Sequence, residues 1–197
     1  MKGYIKIRKK AFEILNSKLS QKLYYHGAHH TFDVLDVINQ FIKREKIDTY
    51  SAKLLRIGAL YHDIGFSISN VEHEKLGCEI AEKYMLAYGF SNKDIQIVKG
   101  LIMATRIPQT PKNYLEKIIC DADLDYLGRN DFYTISNQLF EELKTYSNLK
   151  NDIIIWNKTQ IKFLEAHTYH TPFAKKNRQL NKKNRIEELK QTIKSPI

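Results

Sequence analysis

His62 and Asp63 stand side by side in the stretch GALYHDIGF, Gly58 to Phe66, at the end of an apolar helical run of Leu54, Leu55, Ile57 and Leu60. Imidazole nitrogen and carboxylate oxygen are good ligands for divalent first-row metals, and Gly65 soon after puts the pair where a helix stops. A His-Asp pair is common by chance, so its meaning rests on partners elsewhere in the chain. Upstream, YYHGAHHTFDVL carries His26 and His30 four apart, the spacing at which two side chains share a helix face. Downstream, IICDADLDYLGR threads Asp121, Asp123 and Asp125 through an otherwise apolar setting, where ionised acids need a partner. His, then His-Asp, then Asp make a full ligand set.

If His30, His62, Asp63 and Asp123 converge, their mixed nitrogen and oxygen donors suit Mn, Fe, Co, Zn or Mg better than copper or calcium. Thiolate is missing from the set, which argues against a structural zinc. Cys78 and Cys120 lie in apolar helical contexts without CxxC spacing and read as buried free thiols. A carboxylate such as Asp63 can bridge two cations, and ions about 3.5–4 Å apart hold a hydroxide between them while clamping the oxygens of a phosphoryl group. Such a site needs no Ser or Cys nucleophile, and the chain shows neither a convincing triad nor a Gly-rich phosphate loop.

These residues need a scaffold, and the hydrophobic periodicity supplies helices for it. They are expected over 4–19, over 29–44, from caps at Asp48, Thr49 or Ser51 to His62, and over 72–88 with Gly89 as the stop. Further helices are expected from a Ser91–Asp94 capping box through Ile102, over 113–127 with Gly128 as the stop, over 132–146 and over 152–170. A basic helix follows Pro172, over 172–197. No period-two pattern with hairpin turns is sustained, so the fold class is read as all-α.

With 197 residues, 43% hydrophobic and 27% charged, the chain is expected to be a single domain, 1–197. No apolar run approaches the roughly 20 residues that cross a bilayer, and charges recur through MKGYIKIRKKAFEIL. A cytoplasmic location with no membrane partner is therefore expected. The net charge of +10 is uneven: the last 28 residues carry eight Lys and Arg against Glu187 and Glu188, while the first 169 carry 24 basic against 20 acidic residues. That field favours an anionic small-molecule substrate such as a nucleotide, or RNA, and a solvated basic helix accounts for it equally well. HTYHTPFAKKNRQLNKK, with His167 and His170 ahead of the basic run, reads either as a segment that closes over an anion or as a helix end that attracts cations. Oligomeric state is not written in the sequence.

The ordered elements YHxxxHTxxVL, ALYHDIG, HExxG and DADLDYLG resemble the HD superfamily of metal-dependent phosphohydrolases over residues 25–129, with the C-terminal third outside the resemblance. It implies an HD-domain-like helical bundle with a C-terminal helical extension and two divalent metal ions as cofactors. It implies metal ligands at His30, His62, Asp63 and Asp123, with Asp63 also catalytic through its hold on the reacting centre. Asp123 is preferred to Asp121 because the family's last Asp stands in an Ala-Asp-x-Leu setting; Asp121 is the fallback. His26 matches a residue that protonates the leaving oxygen in the family's cyclic-nucleotide phosphodiesterases, the alternative being a helix-capping His. His73 and Glu74 match positions that serve a second metal in some branches. Arg106, Arg129, Lys175 and Arg178 are the cations expected to meet phosphate.

Two branches are set apart by Phe66. The branch named after its HD and GYP motifs usually has Lys there, and a nucleotidase branch has Glu. The expected function is hydrolysis of a nucleotide-like phosphoester by a metal-bridged hydroxide, a diester such as a cyclic nucleotide being preferred because His26 matches a leaving-group acid. The alternatives are a di-iron HD-type oxygenase and a non-catalytic basic module that binds nucleotide or RNA.

Overall fold

The segments with helical periodicity are helical in the computed structural model, which describes residues 2–146 and 152–194, and no strand occurs among them. The helices are α1 (Lys2–Ser17), α2 (Ala28–Arg44), α3 (Thr49–Tyr61), α4 (His73–Ala87), α5 (Asn92–Ala104), α6 (Tyr114–Asp123), α7 (Phe132–Tyr146), α8 (Ile153–Ala166) and α9 (Pro172–Lys194). Short 3₁₀ turns at Ile64–Ser67 and Asp125–Gly128 follow α3 and α6. The all-α expectation holds; positions 195–197 of the expected tail helix lie outside the described residues.

Local chemistry sets the ends. Asp48 caps α3 by accepting from the backbone N–H groups of Tyr50 and Ser51 at 2.9 and 3.0 Å. Ser91 and Asp94 form the reciprocal capping box of α5, and Tyr50 donates its hydroxyl to Asp94 at 2.7 Å, which ties the start of α3 to that of α5. Some ends differ from expectation: α1 stops at Ser17 instead of 19, and α6 stops at Asp123 instead of running to 127. Leu124, at φ −109° and ψ 21°, leaves the α region, and the backbone tightens into the 3₁₀ turn. The chain forms two compact units, Met1–Asp123 and Leu124–Ile197, and the break falls between them.

In the first unit α3 is the central element. Leu54, Leu55, Ile57, Ala59, Leu60 and Tyr61 are all fully buried, so the helix is enclosed from Ile57 to its end, while Thr49 and Tyr50 are exposed and Lys53 and Arg56 partly so. Ile7, Ala11 and Ile14 of α1, Ala81 and Met85 of α4, and Ile95, Val98 and Ile102 of α5 belong to the same core. Buried Tyr61 satisfies its hydroxyl by donating to the Ile7 carbonyl at 3.1 Å. Cys78 and Cys120 are buried free thiols; burial pushes Cys78 up to about 11, far from the thiolate that reactivity requires.

The second unit uses much of its positive charge internally. Arg178 on α9 donates from Nε and Nη2 to the two oxygens of Asp125 at 2.8 and 3.2 Å, and Asp125 is 1% exposed. Lys182 is 2% exposed, and burial pushes its ammonium down to about 8. It donates to the carbonyls of Leu164 and His167, closing the C-terminal end of α8. α8 ends at Ala166 and does not run to 170, because His167 turns extended at φ −71° and ψ 139°. Arg185 pairs with Glu188 at 2.8 Å. Of the basic run, Lys175, Lys176 and Lys183 remain exposed.

Arg178→Ala would strand a buried carboxylate, with only Arg129 left at 3.8 Å. A loss of about 2–3 kcal/mol is expected, less than the roughly 3–5 kcal/mol that breaking a fully buried pair costs, because Arg178 is itself partly exposed. Urea unfolding of the variant checks it. An unchanged midpoint would mean that Asp125 is stabilised without its guanidinium.

Candidate metal centre

Three helix ends converge on one point. The central helix α3 delivers His62 and Asp63 at its exit: His62 is still helical at φ −60° and ψ −42°, and Asp63 turns into the 3₁₀ segment at φ −105° and ψ 3°. His30 comes from the first turn of α2, and Asp123 is the last residue of α6. His30 Nε2 lies 3.1 Å from Asp123 Oδ1 and 3.3 Å from His62 Nε2. His62 Nε2 lies 3.1 Å from Asp63 Oδ2 and 3.4 Å from Asp123 Oδ1, and His30 Nε2 lies 3.5 Å from Asp63 Oδ2. His30, His62 and Asp123 form a group able to hold a metal ion.

The donors fit a cation. Atoms held about 2.0–2.2 Å from one ion lie roughly 3.0–3.5 Å from one another in tetrahedral or octahedral geometry, which is the spacing found here. His62 Nδ1 sits 2.8 Å from the Ala59 carbonyl, which can only accept, so Nδ1 carries a proton and Nε2 is the nitrogen turned to the centre. Asp63 Oδ2 is buried, and no hydrogen bond reaches it. A buried, orphaned carboxylate oxygen beside two facing imidazole nitrogens is the arrangement an ion would complete. Without the ion the charges compensate one another. Burial alone would push His62 down, but the Asp63 and Asp123 carboxylates hold it well above its ordinary value. Burial would raise Asp63, and His62 foremost, then His73, holds it well below.

Asp63 faces a second group with its other oxygen. His73 Nε2 lies 3.4 Å from Asp63 Oδ1 and 3.4 Å from Glu74 Oε1, and His73 Nδ1 is 3.4 Å from the Asn70 carbonyl. His73 and Glu74 open α4, which must come very close to do this, and two glycines allow it. A Cβ on Gly65 would stand 1.9 Å from the His73 carbonyl oxygen, and one on Gly77 would stand 2.8 Å from the Tyr61 carbonyl oxygen. The first ends the ALYHDIG element and the second ends HExxG, so the two motifs are packing partners, a pairing that sequence reasoning missed although both glycines were in view. Gly77→Ala is expected to cost about 1–3 kcal/mol, because the obstacle is backbone and cannot swing away. Thermal unfolding checks it; a variant as stable as the parent would show that α4 can shift without penalty.

The remaining candidates fall in several places. His26 does not share a helix face with His30, as the four-residue spacing had implied. Gly27, extended at ψ 176°, is the N-cap of α2, so His26 belongs to the preceding loop. Its ring nonetheless comes to 6.2 Å from that of His30 and 6.1 Å from that of His73. Asp121 is fully buried but two residues from Asp123 on α6, which turns it to a different face, and it does not join the His30–His62–Asp123 group. Arg106, exposed after α5, lines a separate cavity of about 310 Å³ with Met103, Ile107, Lys112 and Glu116. Within the second unit, Arg129 binds Asp131 at 2.9 Å, Arg178 binds Asp125, and Lys175 is exposed. Gln109, which carried no signal in the sequence, points its amide nitrogen at the Cys120 carbonyl at 3.3 Å and at Asp123 Oδ2 at 3.5 Å, on the side away from the imidazoles.

The HD domain family matches residues 27–125, 99 of the 197 in the chain, and the chain belongs to that family. Its members are mostly metal-dependent hydrolases, and the His and Asp cluster is compatible with the divalent metals that HD domains bind. Neither the curated proteins nor the solved structures contain a match to the chain. Among the described residues no helix is long and apolar enough to cross a membrane.

Proposed function

We propose that this protein is a metal-dependent phosphohydrolase that cleaves a phosphodiester in a nucleotide-like substrate, a cyclic nucleotide being one such diester. The observation that carries this reading is the separation of roles at the site: His30 and His62 face each other and the carboxylates of Asp63 and Asp123 at 3.1–3.5 Å, while the half-buried imidazole of His26 stands beside them without joining them. When bound, divalent ions supply a nucleophile from water at neutral pH and polarise the phosphoryl oxygens. His30, His62 and Asp123 would hold one ion. Asp63, with His62 near one oxygen and His73 near the other, would serve a second ion, with Glu74 beside it.

The chain's own chemistry completes the step. As the bond from phosphorus to the leaving oxygen breaks, that oxygen takes a proton from the His26 imidazole and departs as an alcohol. A ribose alkoxide is a poor leaving group, so a diester gains from such a donor. Gln109 steadies Asp123 from outside, and the Ala59 carbonyl fixes the His62 ring.

The test is a screen of manganese-loaded protein against nucleoside monophosphates, linear dinucleotides and cyclic nucleotides, together with elemental analysis. The expected result is about two ions per chain and turnover of a diester. Turnover of monoesters alone would overturn the diester reading. No hydrolysis, with a mixed-valent iron signal in protein purified without air, would replace it with oxygenase chemistry.

A further inference from the structure

We propose that Phe66 is a positioning residue for His26, fixing the plane of the imidazole in register with the metal donors. The inference rests on the acid role assigned to His26 above. His26 lies in a loop, outside any helix, and two aromatic rings pack against its side chain. Phe66 stacks on it with centroids 4.3 Å apart and planes 21° apart, and Tyr25 meets it edge-on at 4.6 Å and 87°. One wall sets the face and the other sets the edge, which together define the ring's orientation.

Phe66 is itself tied to the metal site. It belongs to the 3₁₀ turn that begins after Asp63, and its backbone N–H donates to the Asp63 carbonyl at 3.0 Å. The origin of the Phe66 ring therefore cannot shift without moving a ligand. The same ring touches His73 at 4.2 Å and 31°, and the His26 and His73 centroids are 6.1 Å apart. Those three sides make nearly a right angle at Phe66, so the imidazoles do not lie on its opposite faces. They are braced from one corner, each at its own angle to the centre.

A leucine at this position keeps much of the apolar volume and loses the flat face. Phe66→Leu is expected to retain its metal and its fold, while kcat on a diester with an alkoxide leaving group falls about 10- to 100-fold, the size of a small misplacement of a reacting group. On a p-nitrophenyl diester, whose leaving group needs little protonation, the loss is expected to be far smaller. Phe66→Tyr should restore the rate. Combining Phe66→Leu with His26→Ala should add nothing to His26→Ala alone on the alkoxide-leaving diester, because the proposed effect of the ring on leaving-group protonation runs through His26; additive losses would overturn the proposal. A second readout needs no activity. The His26 ring C–H protons, shifted upfield by the stacked ring in the parent, are expected to move to ordinary positions in Phe66→Leu and to return in Phe66→Tyr. If they do not move, Phe66 does not position His26, whatever the substrate proves to be. If they move as expected but no phosphodiester is turned over by the parent, the functional reading fails and the structural role of Phe66 stands.

Discussion

Replacing His26 by alanine is expected to lower turnover of an alkoxide-leaving phosphodiester by about 10²–10⁴-fold while metal content stays at the parent level, the range that general acid catalysis contributes. Metal should be retained because the two imidazoles and the carboxylates they face, 3.1–3.5 Å apart, come together without the His26 ring, which is centred 6.2 Å from that of His30. The loss should depend on the leaving group: a p-nitrophenolate departs without a proton, so the same variant should be mildly affected on its diester. Comparing the two substrates, with metal content measured on the same preparations, separates the possibilities. Equal losses on both would remove the acid role, and loss of metal would make His26 a ligand. His30→Ala is the contrasting variant, since it should lose metal outright.

Replacing His62 by alanine is expected to abolish metal binding and to lower stability by about 3–5 kcal/mol, the cost of leaving buried charges without their partner. His62 is 1% exposed, and both the Asp63 and Asp123 carboxylates face its Nε2. The parent should also show a pH dependence whose sign follows from the site. Because the two carboxylates hold His62 well above its ordinary value against the pull of burial, its Nε2 carries a proton in the metal-free protein at neutral pH. An ion must displace that proton, so affinity for manganese should rise with pH, by about tenfold per pH unit for one proton released, until His62 is deprotonated without help. Titration calorimetry at several pH values measures the slope, and thermal melts measure the stability. Metal content unchanged in His62→Ala would show that the ligands are misassigned.

Much of this site was legible because its parts are local. An apolar run closed by His-Asp and Gly marks the exit of a buried helix, and Asp48, Ser91 and Asp94 announce helix starts by the hydrogen bonds their short side chains can reach. The preference for Asp123 over Asp121 rested on resemblance, and the geometry places Asp123, and not Asp121, beside the imidazoles. What escaped the sequence was pairing at a distance. Charge counting saw Arg178 and Lys182 as part of a basic surface, but their partners, Asp125 and the Leu164 carbonyl, lie 53 and 18 residues away in the chain. Spacing put His26 and His30 on one helix face, although the periodicity itself starts that helix only at 29, and the helix does begin after Gly27, which leaves His26 in the loop. Gln109 reaches Asp123 from a loop, where no periodicity exists to be read.

The unbroken burial of the last five residues of α3, Ile57 to Tyr61, has a consequence for how metal enters the protein. A stretch with no solvent-facing residue opens only when the core around it opens, so its amides belong with the slowest to exchange with water. His62 and Asp63 hang from the end of that helix, and their rotamers are frozen by the surrounding core before any ion arrives. The ion therefore meets a finished socket and orders nothing by entering it: its free energy of binding is not spent on folding, unlike that of a small zinc domain that is unfolded without its metal. Uptake should then be governed by dehydration of the ion and departure of the His62 proton, and the metal-free protein should keep its architecture while it waits.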